Sequence, residues 1–88
     1  MATPQQTDRK YKTGDLYYAA YLKAAAVEFL GAEPNSDDPR RMDFVFVRPP
    51  NLRDLKSQYF TRRAKVSALT FADEIRALKT LVHMLKED

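Results

Sequence analysis

The sequence has no cysteine, no tryptophan, two glycines and one histidine among its 88 residues. Without cysteine there is no disulfide scaffold, no thiol nucleophile and no thiolate zinc site. The single histidine, His83, excludes a His-pair metal motif and argues against a histidine-based catalytic dyad. Gly14 and Gly31 are too few and too far apart for a phosphate-cradling glycine loop. No stretch approaches the roughly 18 apolar residues of a membrane helix. The polar run after Met1, Ala-Thr-Pro-Gln-Gln-Thr-Asp, has no apolar segment behind it and does not resemble a secretory signal. The expectation is a cytoplasmic protein with no membrane association, no cofactor and no evident small-molecule substrate.

What is present is ordinary for a globular domain: 44% hydrophobic and 31% charged residues. A chain this short has a thin core, and a second copy covering an apolar face would help it. Fifteen basic residues face twelve acidic ones, a net charge of +3, but the surplus is local. Residues 40–65 carry eight basic residues (Arg40, Arg41, Arg48, Arg53, Lys56, Arg62, Arg63 and Lys65) against Asp43 and Asp54, whereas both flanking segments are slightly acidic. Residues 1–12 are polar, with Arg9, Lys10 and Lys12. They read as a flexible arm with too little apolar surface to offset ordering entropy, preceding a single domain over 13–88.

Within that domain Thr13-Gly14-Asp15 opens a first helix, Thr13 capping it and Asp15 complementing its dipole. From Leu16 to Ala26 the only charge is Lys23, so this helix is expected to be covered on more than one side. A short strand follows over Val27–Ala32, then turn chemistry from Pro34 to Pro39, then the clearest strand, Arg41–Arg48. Met42, Phe44 and Phe46 point one way and Asp43, Val45 and Val47 the other, so both faces call for cover. Pro49-Pro50 ends the strand. Asn51 caps a short second helix ending near Phe60, with Asp54 as a loose capping box and Leu52, Leu55 and Tyr59 on its inner face. Ser67 or Thr70 caps a third helix running to about Lys86, striped by Phe71, Ile75, Leu78, Val82 and Leu85 and widened by Ala77, Leu81 and Met84. The expected fold is a small α+β domain of order α-β-β-α-α, a two-stranded antiparallel hairpin packed against three helices.

Several stretches resemble the uncharacterised domain-of-unknown-function family 5659, small proteins of bacteria, archaea and their phages. They are Asp15-Leu16-Tyr17-Tyr18-Ala19-Ala20-Tyr21-Leu22, Phe44-Val45-Phe46, Leu52 to Tyr59-Phe60, Val66, and Phe71 to Ile75-Arg76-Ala77-Leu78-Lys79. The resemblance supports the element order and implies no activity or functional residue.

No catalytic constellation accompanies these elements. Ser36, Ser57 and Ser67 lack a partner base in a recognisable motif, and Glu33, Asp37 and Asp38 fit no calcium loop. The protein is therefore expected not to be an enzyme. At about 100° per residue, Arg76, Lys79, His83 and Lys86 fall within about an 80° sector of the third helix. With the 62–65 connector nearby, they would offer phosphates a cationic surface. Arg62, Arg63, Lys65, Arg76 and Lys79 are the expected contacts of a domain binding nucleic acid or another polyanion; the plainer reading is a solvated face of mixed charge. Phe44 and Phe46, with arginines at both strand ends, are of the residue type of base-stacking sheets, but the helices need an apolar face to pack on and these rings supply it. The first-helix tyrosines are expected to bury their rings and leave their oxygens at the rim. The alternative function is a self-associating protein-interaction module. A homodimer through the hairpin or the first helix would cover Val45, Val47 and the alanine-rich back of that helix.

Overall fold

The computed structural model describes residues 9–86. It contains β1 (Lys10–Thr13), α1 (Leu16–Ala24), β2 (Phe29–Pro34), β3 (Met42–Val47), α2 (Leu52–Phe60) and α3 (Ala68–Lys86). The chain is a small α+β domain, but its order is β-α-β-β-α-α and its sheet has three strands, β1-β3-β2, all antiparallel. The expected two-stranded hairpin is thus corrected by a strand at Lys10–Thr13, inside the segment expected to be an arm; residues 1–8 of that segment lie outside the described residues. The reason is physical. A lone hairpin is marginal in water, and β3 needs a partner on each side. β1 supplies the second one with Tyr11 facing the core opposite Phe46 and Lys10 and Lys12 facing out. Lysines on an edge strand also blunt it against further pairing.

The register sorts the side chains of the sheet. Tyr11, Phe46 and Phe29 form one row on the inner face, with the Phe29 and Phe46 rings 5.2 Å apart; Thr13, Phe44 and Ala32 form the next. Phe44 and Phe46 are buried in the core, not open for stacking. On the outer face Val45 lies between Lys12 and Gly31 and is only 6% exposed. Its cover comes from the chain itself: Lys12 reaches Glu33 across the central strand, Nζ to Oε2 2.6 Å, laying two aliphatic stems beside Val45. That hydrogen bond, and then the charge attraction, raises the Lys12 pKa and lowers that of Glu33. The β2–β3 turn is organised by Asn35. Its Oδ1 accepts from the Asp37 and Asp38 backbone N–H groups at 2.9 Å, and its Nδ2 donates to both Asp43 carboxylate oxygens.

Helix α1 is capped by Asp15 rather than Thr13: the Asp15 carboxylate accepts from the Tyr18 N–H at 3.0 Å, while Thr13 Oγ1 accepts from the Asp15 N–H. The charged oxygen wins the cap because it also meets the positive end of the helix dipole. Five consecutive residues, Tyr18 to Leu22, are buried, as expected of a helix covered on more than one side. Ala19 and Ala20 are fully buried, and their small side chains let neighbouring elements approach closely. The one charge of α1 is held twice, Lys23 Nζ lying 3.0 Å from Glu74 of α3 and 4.6 Å from the centre of the Phe29 ring.

Helix α3 follows the expected stripe. Leu78 is fully buried, Phe71, Ile75 and Val82 pack on the core, and the stripe runs out at Leu85, which is 45% exposed. Ser67 Oγ caps it by accepting from the Thr70 N–H at 3.2 Å. Asn51 takes the cap position of α2 without a side-chain cap hydrogen bond, so the expected capping box does not form. Side chains from all three helices meet Phe44 and Phe46 in a single core. Of the surfaces that motivated a dimer, Ala19, Ala20 and Val45 are covered within the chain, while Val47 stays partly exposed. Among the described residues no helix is long and apolar enough to cross a membrane.

Candidate functional site

The seven residues between α2 and α3 carry three exposed cations, Arg62, Arg63 and Lys65. Their path is set by how α2 stops. Arg62 adopts φ 64°, and Ala26, after α1, adopts φ 67°. Both follow a helix cap and both lack the glycine that usually relieves the left-handed conformation. The hydrogen bonds identify the same terminator twice. After α1, Ala26 N–H donates to Lys23 O and Val27 N–H to Leu22 O, each at 3.0 Å. After α2, Arg62 N–H donates to Tyr59 O at 3.2 Å and Arg63 N–H to Gln58 O at 2.8 Å. This is the paired pattern of a Schellman motif. Around α2 the Gln58 carbonyl also accepts from Ala64 N–H at 3.0 Å, and Thr61 Oγ1 donates to Ser57 O at 2.7 Å. The extra bonds give Gln58 O and Ser57 O a second donor each, on top of the backbone N–H groups of Arg63 and Thr61 that they already accept from.

The end of α2 is anchored by rings. Tyr59 stacks on Tyr21 at 5.2 Å with 29° between planes and meets Tyr18 at the same distance; Phe60 lies 5.3 Å from Tyr18 and edge-on to Tyr59 at 4.9 Å. Tyr11 of β1 closes the cluster edge-on to Tyr18 at 6.3 Å. The Tyr18 hydroxyl is buried with no partner at full hydrogen-bond geometry. Burial first, and then the neighbouring Tyr11 hydroxyl, push its pKa well above the ordinary phenol value. Burial also raises Tyr21, and burial followed by the Asp15 charge raises Tyr59. All three phenols stay protonated at neutral pH. Phe60 is held by its contacts on one side yet remains 56% exposed, two residues ahead of Arg62.

Beside this cluster lies a groove of about 520 Å³. Tyr21, Tyr59 and Phe71 bring aromatic rings to it from three helices, Ala64, Val66 and Ala68 line it with small apolar groups, and Arg62 and Lys65 complete it. Its volume falls in the range of small-ligand pockets, and its make-up of apolar walls with a few polar groups is typical of them. A second cleft of about 480 Å³ at the far end of α3 is lined by Ala32, Pro34, Pro39, Met42 and Leu85, with Arg40 and Lys86, and has no aromatic side chain.

Of the five cations expected to form one surface, three come together. Arg62, Arg63 and Lys65 are exposed on the connector, and among the described residues no ion pair engages them. Arg76 is also exposed but held by Asp73 at 2.6 Å, and Lys79 sits 5.9 Å from the Tyr17 ring centre. Neither Arg76 nor Lys79 lines the groove. The stripe of α3 is thus a separate, partly neutralised face. What sequence reasoning missed was the groove itself: Tyr21, Tyr59 and Phe71 read as core-facing residues of three separate helices. The missed signal was an arginine pair directly after a helix end with no glycine to turn the chain.

Residues 8–84 match the family described as "Domain of unknown function (DUF5659)". No curated protein and no solved structure matches the chain.

Proposed function

The chain belongs to the DUF5659 family, and on the geometry of the α2–α3 connector we propose that it is a non-enzymatic domain that binds the phosphate backbone of nucleic acid there. The observation that carries this is how closely three cations, with no ion pair among the described residues, are packed on the connector. Lys12, Lys23, Arg40 and Arg76 each have a carboxylate partner, while Arg62, Arg63 and Lys65 crowd four residues of exposed chain with none among the described residues. Crowded like charges repel, and their field is relieved when a polyanion arrives and releases its counterions. A guanidinium fork matches two phosphate oxygens, and the Lys65 ammonium adds a point charge. The turn at Arg62 gives the side chains of Arg62 and Arg63 a fixed origin, so less freedom is lost on binding than from an unstructured basic tail.

The test is fluorescence anisotropy of a labelled oligonucleotide titrated with the protein at low salt (about 50 mM) and then at increasing salt. Binding is expected to weaken with salt by a slope near −2, about −0.7 per phosphate neutralised on a single strand for three cations. Replacing Arg62, Arg63 and Lys65 together with alanine should flatten that slope. Absence of binding at low salt, or an unchanged slope in the triple variant, contradicts the reading. The polyanion surface does not extend to Arg76 and Lys79 in this account, and alanine at both should change the slope by less than one connector cation does. Self-association has weaker support here, because Val45, Ala19 and Ala20 are buried inside this chain and Val47 stays only partly exposed.

A further inference from the structure

Resting on the phosphate reading, we infer that the groove beside the connector receives an unpaired base, so that the domain selects single-stranded nucleic acid over duplex. Arg62 and Lys65 belong to the connector and line the groove as well. A strand whose phosphates lie on these cations must therefore pass the opening. The groove complements a base in kind: ring surface from the partly exposed Tyr59 and Phe71, with the buried Tyr21 ring behind Tyr59, positive charge at two lining positions, and no carboxylate among its lining residues. Its space exists because Ala64 and Ala68 are small. Phe60, more than half exposed and just ahead of Arg62, gives a neighbouring base a second ring to stack on. Every base has a π-face, so this arrangement favours unpaired bases without reading sequence. A duplex keeps its bases stacked inside and can offer this groove only its phosphates.

Labelled single strands and duplexes of equal length, titrated at matched salt, test the inference. One stacked base contributes about 1–3 kcal/mol, so the single strand should bind roughly tenfold tighter. Ala68→Leu and Ala68→Ile fill the groove from an exposed position at the start of α3 without adding a ring and should reduce the preference several-fold while leaving duplex affinity intact. The chain has tyrosine and no tryptophan, so base stacking should also quench the tyrosine emission of the unmodified protein. Equal affinity for the two forms, or an undiminished preference in a folded Ala68→Leu variant, overturns base insertion and leaves phosphate binding standing. Such a result would turn the groove towards an apolar protein side chain. Absence of binding to either form overturns the phosphate reading and this inference with it.

Discussion

Helices α1 and α2 end with the same backbone turn, yet the two ends serve different purposes. After α1 the residues joined by the hydrogen bond that closes the wider turn are Leu22 and Val27, and both belong to the buried core. Apolar contact across a Schellman turn is its usual companion, so Ala26 is held left-handed by the burial on either side of it. After α2 the equivalent pair is Gln58 and Arg63, both exposed. No apolar lock holds that turn; it rests on the aromatic cluster behind it and on the additional hydrogen bonds to Gln58 and Ser57. Where α1 ends, strain is balanced by packing. Where α2 ends, similar strain presents two arginines to solvent, at a position where glycine would be more comfortable. A strained, exposed, charged position that adds little to the core is where a binding role is to be sought.

The largest expected difference lies in the residues that anchor the two turns. Leu22→Ala should destabilise the protein by about 3 kcal/mol through lost burial and the cavity left behind, whereas Gln58→Ala should stay within about 0.5 kcal/mol. Urea denaturation of the two variants checks this, and similar losses in both would break the comparison. Next come the left-handed residues themselves. Ala26→Gly and Arg62→Gly should each stabilise by about 1 kcal/mol, because a side chain in that conformation costs roughly 1–2 kcal/mol and the added freedom of glycine in the unfolded chain offsets part of the gain. Thermal melting reads both. Stabilisation at one site alone would mean that the two turns are not equivalent in backbone energy.

The smallest effect is on pH. The raised phenol pKa values of Tyr18, Tyr21 and Tyr59 mean that the unfolded chain loses these protons first as alkali is added. Their contribution is complete below the unfolded value near 10 and is lost as pH rises through the folded values. Stability should therefore show no loss from these groups between about pH 6 and 9 and should fall above about 10. Tyr59→Phe should remove part of the alkaline loss, measured as the urea midpoint against pH. An equal fall in that variant would separate the α2 anchor from tyrosine ionisation.

How much of this was legible beforehand depended on whether one segment carried its own signal. The spacing of Phe71, Ile75, Leu78 and Val82 marks α3 because a helix face buries at that period. The Phe44-Val45-Phe46 run likewise marks a strand buried on both sides. β1 was hidden because only Tyr11 and Thr13 turn inward and the lysines between them resemble a solvated end; its reason to be a strand is the unpaired edge of β3, more than 30 residues away. The start of β2 was placed two residues early because Ala26 and Val27 are taken up by the turn that ends α1. Arg62, Arg63 and Lys65 were visible as a basic run. The groove was not, since it forms only where three helices bring Tyr21, Tyr59 and Phe71 to one place.

The affinity of Arg62→Gly for a labelled single strand, with Ala26→Gly as reference, decides whether the left-handed arginine is there for what it contacts. Arg62→Gly, though the more stable protein, should bind several-fold more weakly with a shallower salt slope, while Ala26→Gly should bind as the unmodified chain does. Undiminished binding by Arg62→Gly would contradict that role.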